Sequence, residues 1–125
     1  MSEEKRRNVS GSFVVCDVQE EYIEHLFAVL SEQLSEVYQF QLFHDPDRVM
    51  EFVRREETEA LLIAEECRGN TENLPGIQKI FVLTDVMKDC GEKDVIPVFR
   101  YQSAERILEE IKNGMPFDVR LKKIA

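Results

Sequence analysis

Charged and polar side chains follow several short apolar runs of this sequence, at the points where strands would end. They are Asp17 after the first run, Glu65 and Glu66 after the third, Thr84 and Asp85 after the fourth, and Arg100 after the fifth. Carboxylate oxygens are suitable ligands for Mg²⁺, and the planar fork of an arginine suits a carboxylate. We expect no bound metal here, and the alternative is partial oxygen ligation by Asp17, Glu66 and Asp85.

The apolar runs have the composition of β-strands and cover residues 12–16, 38–43, 60–64, 80–83 and 95–99. All but the second are apolar at nearly every position, which is typical of strands buried on both faces of a parallel sheet. In the second run, Phe40 and Leu42 alternate with glutamines, which predicts a half-exposed or edge strand. Pro97 removes a backbone donor from the fifth run and also predicts an edge position.

Segments with helical spacing lie between or after these runs. Apolar residues within 23–34 recur every three or four positions, which predicts an amphipathic helix. Either Asp45 or Asp47 is suited to cap a second helix, because Pro46 fits the first helical turn. Ser103 is suited to cap the last helix.

Strands that alternate with helices over short connections predict right-handed crossovers onto a mainly parallel sheet. The predicted fold is therefore α/β, a flavodoxin-like three-layer sandwich with strand order 2-1-3-4-5. Residues 67–76 and 86–94 are polar and rich in turn formers, so the third and fourth helices are expected to be short or missing. We expect one domain over 12–114, a flexible segment over 1–11, and a tail or linker over 115–125. Such sheets bind ligands beyond the carboxyl ends of their strands.

The chain has 125 residues and a formal net charge of −9. This acidic balance argues against binding to nucleic acid or to anionic membranes, since both depend on clustered Lys and Arg. No apolar run approaches the ~20 residues of a membrane span, and the first residues lack the apolar stretch of a secretory signal. A cytoplasmic protein without a membrane span is therefore expected.

The three cysteines are Cys16, Cys67 and Cys90, and their odd number and wide spacing predict reduced thiols. A thiolate–imidazole metal site with His44 is an alternative, but the irregular spacing favours a buried apolar role for Cys16 and loop positions for the other two. The chain also has no Ser-centred elbow and no Gly-rich phosphate loop. We therefore expect neither enzymatic activity nor a cofactor.

The strand-terminal residues give the chain a resemblance to the receiver domain of bacterial response regulators, over about residues 12–113. In receivers, an acid pair follows the first strand, a phosphoacceptor Asp ends the third, Thr or Ser ends the fourth, and Lys ends the fifth. Asp17 matches one acid of the pair, and Thr84 matches the hydroxyl. Glu65 stands at the phosphoacceptor position, and Arg100 replaces the Lys. The resemblance implies a receiver-like fold with a degenerate phosphoacceptor site.

Three short segments, 17–22, 81–84 and 99–103, are more specifically similar to the atypical receiver domains at the front of MinD-like ATPases of the TadZ/CpaE type. Those proteins are associated with the polar placement of pilus-assembly machinery. The resemblance therefore implies an attached or partner ATPase domain. These 125 residues contain no Walker-type phosphate loop, so that ATPase half is absent from them.

Phosphotransfer to Glu65 is not expected. Its extra methylene displaces the carboxylate by about 1.3–1.5 Å, and positional errors near 1 Å already cost about 10²-fold in rate. One hypothesis is that this longer carboxylate reaches Arg100 or Thr84 and fills the place of a phospho-aspartate. The alternative is that Glu65 points into solvent and Arg100 is a surface residue.

Receivers commonly associate through the surface of the fourth helix, fifth strand and fifth helix, so the resemblance implies an interaction face there. Its residues would be Arg100, Tyr101, Gln102, Glu105, Arg106 and Glu109. We interpret the chain as a non-phosphorylatable receiver-like module for protein contacts, homodimerisation among them, in signalling or localisation. The alternatives are a phospho-accepting receiver and a flavodoxin-like protein that binds a small ligand; for Tyr101 alone, the alternative is packing against the last helix.

Overall fold

The computed structural model describes residues 11–67, 77, 79–86 and 95–115. The strands are β1 (Gly11–Cys16), β2 (Tyr38–Phe43), β3 (Ala60–Ala64), β4 (Lys79–Thr84) and β5 (Val95–Phe99). The α-helices are α1 (Glu20–Leu34), α2 (Pro46–Arg55) and α3 (Ala104–Gly114). A single 3₁₀ turn, Glu65–Cys67, follows β3 directly.

The five strands form one parallel sheet in the order β2-β1-β3-β4-β5. This confirms the predicted α/β fold and strand order. The half-exposed β2 and the Pro97-containing β5 lie at the two edges, as their patterns predict. The three central strands are almost wholly buried, because apolar side chains lie on both of their faces.

Helices cover both faces of the sheet. Alternate residues of β1 separate to opposite sides: Phe13 and Val15 pack with α1 and α3, whereas Val14 and Cys16 pack with α2. The two apolar clusters are the inner layers of a three-layer sandwich. The segments in which the third and fourth helices are expected to be short or missing, 67–76 and 86–94, lie outside the described residues except for their first positions, Cys67 and Val86.

Two helices begin at the predicted caps. The side chain of Asp45 accepts a hydrogen bond from the backbone N–H of Asp47 (3.0 Å), and that of Ser103 accepts from Arg106 (3.2 Å). Each bond satisfies a backbone donor that the first helical turn leaves without a partner. The second cap lies four residues after the end of β5 and fixes the start of α3, and therefore the direction of the chain beyond Arg100.

The end of α3 makes a close approach to the sheet. A Cβ at Gly114 would lie 2.8 Å from Ile96 Cδ1 and 2.9 Å from Phe81 Cε1. Glycine is therefore required here by the space between helix and sheet. Met115 then caps the helix, with its N–H donating to the carbonyl of Lys112.

The predicted terminal segments lie almost entirely outside the described residues, although Gly11 already belongs to β1 and Met115 is the cap of α3. Within the described part of the chain, no helix combines the length and the apolar character needed to cross a membrane.

Candidate functional site

The candidate site lies at the carboxyl edge of the sheet. Asp17 directly follows β1, Thr84 ends β4 and Arg100 directly follows β5, and all three side chains are buried. The backbone N–H of Arg100 donates to the carbonyl of Thr84 (3.0 Å), which continues the pairing of β5 with β4 past the end of the strand. The side chain of Arg100 nevertheless reaches Asp17, although β3 and β4 lie between their strands.

The guanidinium of Arg100 contacts three carboxylates. Its Nη2 donates to Asp17 Oδ2 (3.3 Å) and lies 3.7 Å from Glu66 Oε1, and its Nε lies 3.4 Å from Asp85 Oδ1. Asp17 is fully buried, whereas the side chains of Glu66 and Asp85 are 48% and 68% exposed. One cation therefore joins the loops after β1, β3, β4 and β5. We call these four residues the arginine cluster.

Tyr22, in the first turns of α1, covers the other side of Arg100. Its ring centroid lies 5.3 Å from the guanidinium carbon, which is within the range of a cation–π contact. Its hydroxyl donates to the backbone carbonyl of Arg100 (3.0 Å). Burial raises the pKa of Tyr22 to about 12, so the phenol remains neutral and keeps its proton for that bond.

Asp17 is held at three of its atoms. Oδ1 accepts from the backbone N–H of Gln19 (2.9 Å), Oδ2 accepts from Arg100, and the carbonyl oxygen contacts His44 Nδ1 (3.0 Å). Burial raises the pKa of the carboxyl, while the Gln19 N–H and the Arg100 charge oppose that effect. The arginine thus compensates part of the cost of burying this carboxylate.

The guanidinium is held more by charge than by hydrogen bonds. Nε and Nη1 have no hydrogen-bond partner among the residues that the structure describes, although Nε is close to Asp85. Buried donors of this kind are uncommon in folded proteins. The stability of the buried Arg100 charge therefore depends strongly on the three carboxylates that surround it.

Glu66, the second residue of the 3₁₀ turn, supplies a carboxylate that lies near Arg100. Consecutive side chains of a 3₁₀ turn point about 120° apart, so one residue decides which carboxylate faces the guanidinium. Glu65 is half-buried. The hydroxyl of Thr84 donates to the carbonyl of Val86 (2.8 Å). The structure thus brings Asp17 and Arg100 into contact and gives Thr84 a local backbone partner.

The alternative metal donors lie together, but all three carboxylates already contact the Arg100 guanidinium. Asp17 and Glu66 both lie near its Nη2, and Asp85 lies near its Nε. The four formal charges sum to −2, and the cation among them belongs to the chain itself. A Mg²⁺ ion at these oxygens would have to displace or accommodate that cation.

The described cysteines are buried thiols. Cys16 ends β1 and Cys67 ends the 3₁₀ turn, and both pack in the apolar cluster under α2. Burial raises the pKa of both thiols, which disfavours the thiolate needed to bind a metal. Cys67 lies in the connection after β3, as expected for a loop thiol, but it is buried against the sheet. Cys90 lies outside the described residues.

The predicted interaction face changes at one position. Arg100 is only 2% exposed, so it lies beneath this face and is not a surface residue. Tyr101 is 65% exposed and contacts Phe99 edge to face, with centroids 5.6 Å apart. Gln102 is half-buried and donates to Phe99 O and to Glu110. The remaining residues, Glu105, Arg106 and Glu109, are exposed on α3.

Three features of this edge were not found from the sequence. Tyr22 was not identified as the residue that covers Arg100. Its position in the first turn after β1, near the carboxyl edge of the sheet, could have indicated this. Val18 and Val86 are exposed apolar residues that directly follow Asp17 and Asp85, and no periodicity marks them. The cluster of Glu20, Glu24 and His44 depends on the packing of α1 beside β2, which spacing alone does not give.

A scan against protein-family models finds no match for this chain, and a search of curated proteins also finds none. The function is therefore inferred from the geometry of the arginine cluster and of the surface around it.

Proposed function

We propose that the chain is a receiver-like module that does not accept a phosphoryl group and that acts by binding another protein. The observation that carries this proposal is the buried guanidinium of Arg100 among the carboxylates of Asp17, Glu66 and Asp85. In a receiver, the acids at this edge of the sheet are available to Mg²⁺, and among these three residues Asp17 matches one of them. Here an internal cation already contacts them.

Phosphoryl transfer depends on the positions of the groups and on charge neutralisation by metal ions. Arg100 contributes one positive charge in a fixed position, whereas a Mg²⁺ ion would also have to bridge the acceptor and the phosphoryl group. The residue at the acceptor position is Glu65, which is longer than aspartate, and its neighbour Glu66 contacts Arg100. Both features support a site that maintains one conformation of the edge and does not switch.

The surface beside the cluster supports a role in protein contacts. Tyr101 is the most exposed aromatic side chain among the described residues of this edge, and the charged side chains of Glu105, Arg106 and Glu109 are exposed on α3, which begins three residues later. Tyrosine and arginine are enriched among residues that dominate interface energies. We call Tyr101, Glu105, Arg106 and Glu109 the α3 face. We propose that a protein partner binds there, and a second copy of the chain is the first candidate.

The similarity of segments 17–22, 81–84 and 99–103 to TadZ/CpaE-type receivers extends the proposal. On that basis the partner system includes a MinD-like ATPase domain, attached or separate, and the module acts in localisation of pilus-assembly machinery within the cytoplasm. This extension does not depend on the arginine cluster. It is tested by identifying the partner.

Phosphorylation is tested by incubating the chain with acetyl phosphate and Mg²⁺ and measuring its intact mass. We expect no phosphoryl adduct. The proposal would be overturned by a mass gain of one phosphoryl group that hydroxylamine removes and that Glu65→Gln abolishes. That result would favour a phospho-accepting receiver.

The α3 face is tested by placing a photo-crosslinking phenylalanine analogue at Tyr101 in cells and identifying adducts by mass spectrometry. The matched control carries the analogue at Arg48, which is exposed on α2 at the opposite side of the sheet. We expect a discrete protein adduct, with another protein or with a second copy, from position 101 only. Absence of adducts at 101, or equal adducts at both positions, contradicts the proposed face.

A further inference from the structure

A second group of chemically active side chains lies beside α1, apart from the Arg100 guanidinium. Glu20 and Glu24 are four residues apart on α1 and therefore lie on the same side of the helix. His44 directly follows β2, the neighbour of β1 in the sheet. One ligand atom from each of the three residues lies within 4.8 Å of the others.

The hydrogen bond of His44 determines which ring nitrogen is available. Nδ1 lies 3.0 Å from the backbone carbonyl of Asp17, and a carbonyl oxygen can only accept. Nδ1 must therefore carry the proton, which leaves Nε2 of the neutral ring with a free lone pair. Nε2 lies 3.6 Å from Glu24 Oε2. A backbone carbonyl that fixes one nitrogen while the other faces carboxylates is the arrangement found around metal-ligating histidines.

We propose that Glu20, Glu24 and His44 form a binding site for one divalent transition-metal ion of the Zn²⁺ class. Two carboxylates and one neutral imidazole supply a charge of −2 and three ligand atoms, which leaves a fourth position for water or an external ligand. An imidazole nitrogen favours Zn²⁺ and its neighbours over Mg²⁺ or Ca²⁺, which prefer oxygen ligands alone.

The distances are compatible with such an ion. Zn–N and Zn–O bonds of about 2.0–2.2 Å give ligand atoms about 3.3–3.6 Å apart in a tetrahedral site, and Nε2 to Glu24 Oε2 is already 3.6 Å. Glu20 and Glu24 are exposed, so small side-chain rotations bring the remaining atoms closer and solvent can deliver the ion. His44 contacts the backbone carbonyl of the same Asp17 whose carboxylate contacts Arg100, so the proposed metal site adjoins the arginine cluster through this one residue.

The test is calorimetric titration of the 125-residue chain with ZnCl₂ in a chelator-free buffer. We expect one equivalent to bind to the wild type. Loss of an outer partner of a metal ligand already costs about 10–100-fold in affinity, so Glu24→Gln and His44→Ala should each weaken binding at least about tenfold. The matched control is His25→Ala. His25 is the other histidine of the chain, and it is exposed on α1 and lies outside the site. We expect it to bind as the wild type does.

Co²⁺ substitution separates this site from the cysteines. We expect visible d–d bands without a thiolate-to-cobalt charge-transfer band, because the proposed donors are nitrogen and oxygen. Glu24→Gln alters an exposed side chain and leaves the bond between His44 and Asp17 in place, so it remains informative if His44→Ala does not fold. The proposal is overturned by undetectable binding to the wild type, by unchanged affinity of Glu24→Gln, or by a thiolate band. In the first case Glu24 and His44 form only an ion pair.

Discussion

Arg100 and Asp17 form an ion pair whose two side chains are at most 1% exposed, with Nη2 3.3 Å from Oδ2. The pair joins residues 83 positions apart in the sequence and links the ends of β1 and β5, the first and last strands along the chain. Replacing a whole buried pair by apolar groups is often neutral, whereas removing one partner leaves an uncompensated charge. The energetic role of the arginine cluster can therefore be measured.

Arg100→Met should lower the free energy of unfolding by about 3–5 kcal/mol, because Asp17 is then buried without its cation. Adding Asp17→Asn to this variant should recover part of the loss. Both effects are measured by urea unfolding, and the double-mutant cycle gives the coupling energy. Arg106→Met removes an exposed arginine of α3 and should change stability by no more than about 0.5 kcal/mol. Equal effects of Arg100→Met and Arg106→Met would contradict a structural role for the pair.

Glu66→Gln should cost up to about 1 kcal/mol at low ionic strength, because Glu66 is half-exposed and its contact with Arg100 is long. The cost should decrease as salt is added, since exposed charges are screened within a Debye length of about 10 Å at 0.1 M salt. Thermal melts at two salt concentrations measure this difference. Glu109→Gln on α3 provides the exposed control. A cost that does not depend on salt would indicate that Glu66 acts through packing and not through its charge.

The pH dependence of the free energy of unfolding should reflect the ionisation of Asp17. Burial raises the pKa of its carboxyl above the ordinary value of 3.8, despite the Gln19 N–H and Arg100. The folded chain thus holds this proton more tightly than the unfolded chain. The contribution of Asp17 to stability is therefore complete below pH 3.8 and is lost as the pH rises through the raised pKa.

The measurement is the free energy of unfolding of wild type minus that of Asp17→Asn, followed from pH 3 upward. Taking this difference removes the background of the other carboxylates. We expect it to fall with increasing pH until Asp17 is fully ionised. A difference that rises with pH would mean that Arg100 dominates over burial and lowers the pKa of Asp17.

Gly114→Ala should destabilise the chain by up to about 2 kcal/mol. Alanine favours a helix by about 1 kcal/mol over glycine, but its Cβ would lie 2.8 Å from Ile96 Cδ1 and 2.9 Å from Phe81 Cε1, and overpacking of a core costs about 1–3 kcal/mol. Urea unfolding measures the result. Asn113→Ala, exposed on the same helix, should be neutral or slightly stabilising. A stabilising Gly114→Ala would mean that α3 shifts away from the sheet at little cost.

Much of the fold could be predicted from local patterns. Continuous apolar runs such as Ala60–Ala64 identify buried strands, and the alternation around Phe40 identifies an edge strand. Asp45 and Ser103 form their capping bonds as expected, because a cap depends on residues only two or three positions away. Side-chain contacts across the sheet have no such local signal.

The candidate site illustrates that limit. The carboxyl edge could be predicted to gather Asp17 and Arg100, because parallel strands end on the same side. That Arg100 is buried beneath Tyr22, and that Glu66 contacts it, depends on one turn of 3₁₀ helix and on the packing of α1.

The long sequence separation of Arg100 and Asp17 also has a kinetic consequence. Their contact requires β1 and β5 to be in place with β3 and β4 between them, so it forms only when the parallel sheet is nearly complete. Interactions that form after the folding transition state affect the unfolding rate and leave the folding rate almost unchanged. The arginine cluster would therefore act as a late closure of the native sheet, which prolongs the lifetime of the folded edge on which a partner would bind.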